Sequence, residues 1–190
     1  MSAVVYCGGV YLRALQIKRR IGRPPNLSPR GAKEKALWAG WALVVLGWTL
    51  GPLLTERFGS CALFRLWTPL EKPLFSYAGL AMVAAGLVGT VWCHASLGNT
   101  WRLGVRGEEK TPLVTNGVYR RLRHPIYAFQ VLILAGVWLL WPTPFLLGLV
   151  VLHRILVAVK IRDEENHLER LHGSLYKEYV QRTGSLWPKV

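Results

Sequence analysis

Two runs that are uncharged or nearly so, 36–55 and 73–97, are each long enough to cross a bilayer as a helix, which takes about 20 residues. Lipid offers no partner to a backbone N–H or C=O, so such runs must close their hydrogen bonds within themselves, and helices do so segment by segment. A second pair of apolar stretches, 126–141 and 144–159, is separated by Pro142-Thr143-Pro144. Proline removes a backbone donor and clashes with the preceding turn, so this break predicts a helical hairpin over 125–159. Its legs, about 16 residues and about 24 Å each, are a little short for a full span. The run 1–17 reads as a first spanning helix, although Arg13 and two glycines interrupt it.

The fold class that follows is an all-α integral membrane protein of about five transmembrane helices, including a C-terminal helical hairpin. Basic residues set its orientation, because cytoplasmic loops carry the excess of Lys and Arg. Seven of the 24 fall in 18–35, six in 98–124 and six in 160–190, against three in 56–72. An outside N-terminus and a cytoplasmic C-terminus put the three rich segments on one side. The net charge of +14 then belongs to loops facing an anionic leaflet, and nucleic acid is not needed to explain it. Arg23-Pro24-Pro25 opens an irregular basic connector. Cys7, Cys61 and Cys93 stand apart without metal or redox spacing. The chain divides into anchor helices over 1–97 and a half over 98–190 that holds nearly all of its chemistry-capable residues.

Folding the hairpin brings its two outer ends together. Pro125 suits the first turn of a helix, so His124 sits at the mouth of a helix N-terminus, where free N–H groups and the helix dipole favour an anion. Arg123, Tyr119 and Tyr127 lie close by, and a basic rim that only orients the helix is the plainer reading of this segment. Beyond the second leg, the segment from Lys160 onward reads as a cytoplasmic amphipathic helix. At about 100° per residue, Glu164 points from the middle of its apolar face. Lys160 lies about 40° to one side, Glu165 about 100° to the other and Arg162 is turned away. A carboxylate placed there either pairs with Lys160 one turn earlier or meets a cationic ligand. Glu164-x-x-His167 and Glu169-x-x-His172 have the spacing of carboxylate-bridged metal ligands, but both lie on one helix and face different ways, so no metal is expected and Glu169 and His172 read as a solvated face. His153 and Arg154 interrupt the second leg, either as functional groups or as side chains reaching for the interface.

Several of these pieces, taken in order, carry a resemblance. They are Leu113-Val114-Thr115-Asn116-Gly117-Val118-Tyr119, Arg123-His124-Pro125-x-Tyr127, Glu164-Glu165, Gly173-x-x-Tyr176-x-x-Tyr179 and Leu186-Trp187-Pro188. His94 with Leu97-Gly98-x-x-Trp101 adds to them. Over about 94–188 the chain closely resembles the isoprenylcysteine carboxyl methyltransferase family. That resemblance implies a cytoplasmic helix and loop region binding S-adenosylmethionine. By the resemblance, the cofactor contacts are Thr111, Pro112, Leu113, Val114, Tyr119, His124, Pro125, Ile126, Tyr127 and Glu164, and the residues nearest the chemistry are Lys160 and Glu164. The expected ligand suits the residues: His124 and a helix N-terminus for its carboxylate, Glu164 for its cationic groups, aromatic faces for its adenine. No Gly-rich nucleotide loop of the Rossmann type is present.

One position departs from the family, whose Arg four residues before the Glu pair is Lys160 here; an ammonium neutralises a carboxylate without forming the guanidinium fork. The expected acceptor is a lipidic or small hydrophobic molecule arriving from the bilayer, most simply the carboxylate of a prenylcysteine, in the plasma membrane of a prokaryote or the endoplasmic reticulum of a eukaryote. A phospholipid amine and a small thiol are the alternatives within this chemistry. An NADPH-dependent membrane reductase and a non-enzymatic membrane anchor are the alternatives outside it.

Overall fold

The computed structural model describes residues 2–21, 31–98 and 112–189. They form six helices: α1 (Ser2–Ile21), α2 (Gly31–Phe58), α3 (Pro73–Leu97), α4 (Pro125–Leu140), α5 (Pro144–His172) and α6 (Ser174–Arg182). Short 3₁₀ turns occupy Thr68–Leu70 and Gly117–Arg120. Among the described residues the only β-type pairing is an isolated parallel bridge between Leu122 and Gly184. The protein is an all-α integral membrane protein. α2, α3 and α5 are long and apolar enough to cross a membrane, and α4 is a shorter apolar helix. Large apolar side chains on their outer faces, Leu46 and Leu53 of α2 and Val88 and Val91 of α3 among them, are exposed, as suits helices whose surrounding solvent is lipid.

Pro142-Thr143-Pro144 turns the chain as its prolines require. The Thr143 side chain caps α5 by accepting the Leu146 N–H at 3.2 Å. The connection between α2 and α3 closes over this tip, with the Trp67 N–H donating to the Pro142 carbonyl and the Phe145 N–H to that of Leu63. Along the hairpin, α3 packs against α4 and α2 against α5, around a core that includes Val44, Trp48, Val83, Ile133, Val137, Leu149 and Leu156. The α3–α4 approach is close: a Cβ on Gly79 would stand 2.6 Å from the Gly136 carbonyl oxygen, so both positions take the residue that has none. Small residues at such a seam let backbones meet, which supplies the packing that holds helices together in lipid.

The helix that begins as the second hairpin leg does not stop at 159. No proline interrupts 145–172, and a change from apolar to charged side chains alters the solvent a helix prefers without breaking its hydrogen bonds. α5 therefore runs on for 29 residues, about 43 Å, and carries Lys160, Glu164 and Glu165 on the same rigid rod as the hairpin leg. Gly173, at φ 55°, ends it and starts α6. Arg13 of α1 has a structural use as well: its guanidinium donates to the carbonyls of His94 and Gly98 and so closes the C-terminal end of α3. The connector at 23–29 and Trp101 lie outside the described residues.

Candidate active site

The start of α4 meets the polar end of α5. Because Pro125 opens α4, the side chains of Arg123 and His124 project from the turn just before it, and the hairpin geometry delivers both to the carboxylates of α5. His124 is buried at 6% exposure. Its Nδ1 lies 3.5 Å from Glu164 Oε2 and its Nε2 lies 3.1 Å from Glu165 Oε1. Arg123 Nε donates to the same Glu165 oxygen at 2.9 Å, and its Nη1 donates to the Thr183 carbonyl at 2.5 Å. Tyr127, in the first turn of α4, donates its hydroxyl to Glu164 Oε1 at 2.7 Å. Burial works against a proton on His124, but hydrogen bonds and charge from Glu164 and Glu165 outweigh it, so the imidazole holds its proton above the ordinary value of 6.5. Arg123, His124, Glu164 and Glu165 thus form one quartet, with the basic pair largely buried and the acidic pair partly exposed.

The C-terminal tail fixes this cluster from behind. Gly184 and Ser185 accept the backbone N–H groups of Arg123 and His124, and the Gly184 N–H returns to Arg121. Tyr179 of α6, buried at 3%, donates its hydroxyl to the Tyr119 carbonyl at 2.6 Å, and burial pushes that phenol up to about 12.

Beside the quartet lies a cavity of about 150 Å³ bordered by Pro112, Leu113, Val114, Tyr119, His172 and Tyr176, with Arg123 forming part of the wall. Two polar atoms there are buried and find no partner among the described residues, the Tyr176 hydroxyl and His172 Nε2. Buried polar groups are normally hydrogen-bonded, so the pair suits a ligand with donors and acceptors of its own.

The structure thus gathers the residues expected from sequence into two adjoining parts. Pro112, Leu113, Val114 and Tyr119 border the cavity. His124 and Tyr127 contact Glu164. Pro125 and Ile126 form the first turn of α4, the latter packed toward Val118 and Tyr119. Thr111 lies outside the described residues. Lys160 is half-buried one turn before Glu164, and no ion pair joins the two among the described residues. Two side chains have places that the sequence reading did not give them. Glu165, expected at the edge of the helix face, is the main partner of Arg123 and His124. His172, expected on a solvated face, borders the cavity. The stripe Ile161-Glu165-Leu168-His172 at helical spacing was the signal that could have revealed both.

Comparison with known proteins gives a consistent picture. A sequence model of the phospholipid methyltransferase family matches residues 74–174. The protein-S-isoprenylcysteine O-methyltransferase B of Arabidopsis thaliana is 36% identical over 116 residues, which cover 59% of this chain and 58% of that protein. The cobalt-zinc-cadmium resistance protein CzcN of Cupriavidus metallidurans is 26% identical over 148 residues, 77% of this chain and 62% of its own length. The chain therefore spans little more than half the length of the curated relatives it matches. Among solved structures, a eukaryotic intramembrane Ras methyltransferase, an isoprenylcysteine carboxyl methyltransferase, shares the fold at a TM-score of 0.65, with 20% identity over 99% of this chain and 68% of that one.

Proposed function

The chain belongs to the phospholipid methyltransferase family, whose sequence model spans more than half of it, and from that premise we propose that it is a membrane-embedded enzyme passing a methyl group from S-adenosylmethionine to a lipidic acceptor. The observation that carries the reading is the cavity with unpartnered Tyr176 and His172 atoms set against a cluster that includes Glu164. Pro112 to Val114, Tyr119, His172 and Tyr176 would hold the adenosine end, the unpartnered atoms supplying polar contacts that a purine edge can answer. Glu164 would take the cationic part. Bound there, the cofactor supplies an electrophilic methyl on a sulfonium.

The chain's own contribution is positional. Tyr127 and His124 hold the Glu164 carboxylate from two sides, so that it meets a cation without first having to be ordered. Because both His124 nitrogens face carboxylates, the imidazole serves as a clamp on α5 and leaves little of itself to a ligand carboxylate. Lys160, unpaired with Glu164 and on the same face of α5, would neutralise an acidic acceptor. A carboxylate acceptor is ionised at neutral pH and needs no base, which suits a site whose acids are already committed. Carboxyl methylation of a prenylcysteine-like lipid is accordingly the finer form of the proposal, supported by the plant relative. A phospholipid amine is the second acceptor, favoured by the description of the matched family and by Lys160 in place of a forked Arg; there Glu164 would accept the amine proton.

Incubating the purified protein with membranes and isotopically labelled S-adenosylmethionine, then resolving products by mass spectrometry, tests both. Label in a base-labile ester supports the carboxylate, and label in a headgroup amine supports the second acceptor. No label above the heat-inactivated control, together with no calorimetric binding of S-adenosylhomocysteine, would remove the enzyme reading.

A further inference from the structure

A second and larger cavity lies outside the site. It is a cleft of about 530 Å³ between one face of α5 and the C-terminal tail, bordered by Arg154, Ala158, Ile161, Leu186, Trp187 and Lys189. Four features bear on its occupant. Its walls are apolar apart from the two cations and Ser185, and no acidic side chain borders it. Arg154 is exposed on the outer side of a helix long enough to span, between Val151 and Ile155, which are 53% and 57% exposed. Among the described residues Arg154 makes neither a hydrogen bond nor an ion pair. Lys189 gives two donors to the carbonyls of Val180 and Gln181, which pins the tail and leaves the ammonium charge in place.

An arginine on the lipid side of a spanning helix is costly unless it reaches an anion or the interface, and its long apolar stem lets it lean toward either. Lys160, where the apolar stretch ends, is six residues away, about 9 Å along the axis. A guanidinium leaning that way enters a cleft that offers positive charge and apolar walls beside the exposed Val151 and Ile155. We propose that this cleft binds the phosphate headgroup of an anionic phospholipid, with Arg154 on the phosphate and the acyl chains along the Val151–Ile155 face. It is not where methyl transfer is proposed: Arg154 and Glu164 are ten residues apart on one helix, about 15 Å along its axis. Gly184 and Ser185 border the cleft while their carbonyls hold the backbone of Arg123 and His124. A lipid seated there therefore braces the tail that braces the site.

Native mass spectrometry of the detergent-purified full chain, titrated with phosphatidylglycerol and with phosphatidylcholine, tests this. The parent is expected to retain phosphatidylglycerol preferentially. Arg154→Gln should lower that preference about fivefold, the worth of one basic side chain at an anionic surface. Arg154→Lys should keep most of it. Ala158→Trp, which fills the cleft without removing charge, should also lose retention and serves as the readout if Arg154→Gln does not fold. Glycerol phosphate should not displace the lipid; displacement would show a site for soluble phosphate and overturn the lipid assignment. Undiminished preference in both Arg154→Gln and Ala158→Trp, or label from the methyl donor on the retained lipid, would overturn the proposal.

Discussion

Glu164 and Glu165 are neighbours in sequence and about 100° apart around α5, and their partners divide the work between them. Glu165 takes Arg123 and one nitrogen of His124, and both partners are largely buried, so removing its charge leaves two cations short of an anion. Glu165→Gln should therefore destabilise by about 2 kcal/mol, as when hydrogen bonds to charged groups lose their ionised acceptor, less than for a fully buried pair because Glu165 is partly exposed, and thermal unfolding in detergent reads this directly. Glu164 is held by a neutral hydroxyl and the other nitrogen. Glu164→Gln, which takes one of two carboxylates from His124, should lower the melting temperature less than Glu165→Gln while abolishing S-adenosylhomocysteine binding in calorimetry; binding as tight as the parent's would dismiss Glu164 as a cofactor contact. His124 adds a pH dependence. Its proton is held above 6.5 in the folded chain, so the stabilisation it gives is complete below that value and is lost as pH rises through the raised one. The melting temperature should fall above pH 6.5, and His124→Asn should remove that fall. At this scale the sequence pointed to Glu164, because a carboxylate centred on an apolar face is conspicuous, and the structure sets it against His124 and Tyr127. Glu165 was hidden, since the side chains that make it structural come from the turn just before α4, and a helical wheel of α5 contains no information about them.

At the scale of elements, the hairpin was legible because prolines act locally: Pro142 and Pro144 end and begin helices by their own covalent geometry. The length of α5 was not, because a switch in polarity at Lys160 resembles an end only when the surroundings are ignored. The consequence is mechanical. A single rod ties the hairpin packing to the site, so the depth at which α5 sits against α2 and α4 sets where its carboxylates meet Arg123 and His124. The α3–α4 seam is the second control on that depth. Gly136→Val puts side-chain carbon where the Gly79 carbonyl now lies, and overpacking of this kind costs about 1–3 kcal/mol. Because Tyr127 lies in the first turn of α4 and His124 immediately precedes it, the same variant should weaken S-adenosylhomocysteine binding although it lies well away from the site. Gly148→Ala on α5, where an added Cβ meets nothing within 4 Å, should leave both melting temperature and binding near the parent values. Equal effects from the two would mean that the seam does not position the site.

For the molecule as a whole, every polar assembly described above gathers at one end of the helices. The Leu63 and Trp67 backbone contacts close the hairpin tip at the other. α5 joins the two ends over about 43 Å, more than a hydrocarbon core of about 30 Å, so the connection between α2 and α3 and helix α6 should face opposite aqueous compartments. The distribution of Lys and Arg predicts a cytoplasmic α6 end, since 18–35, 98–124 and 160–190 are rich and 56–72 is poor. Two positions test both statements in one experiment. Cys61 is exposed at the tip end, and Leu175 on α6 is 51% exposed. In a background with Cys7 and Cys93 replaced by Ala, a membrane-impermeant maleimide applied to intact cells should label Cys61. It should label the Leu175→Cys, Cys61→Ala variant only after the membrane is opened. Labelling of both from one side would place the two ends in the same compartment and undo the membrane-spanning arrangement on which the proposed lipid site and the proposed entry of the acceptor from the bilayer both depend. The reverse order would keep that arrangement and invert it, moving the proposed cofactor site to the outer face, away from a cytoplasmic methyl donor.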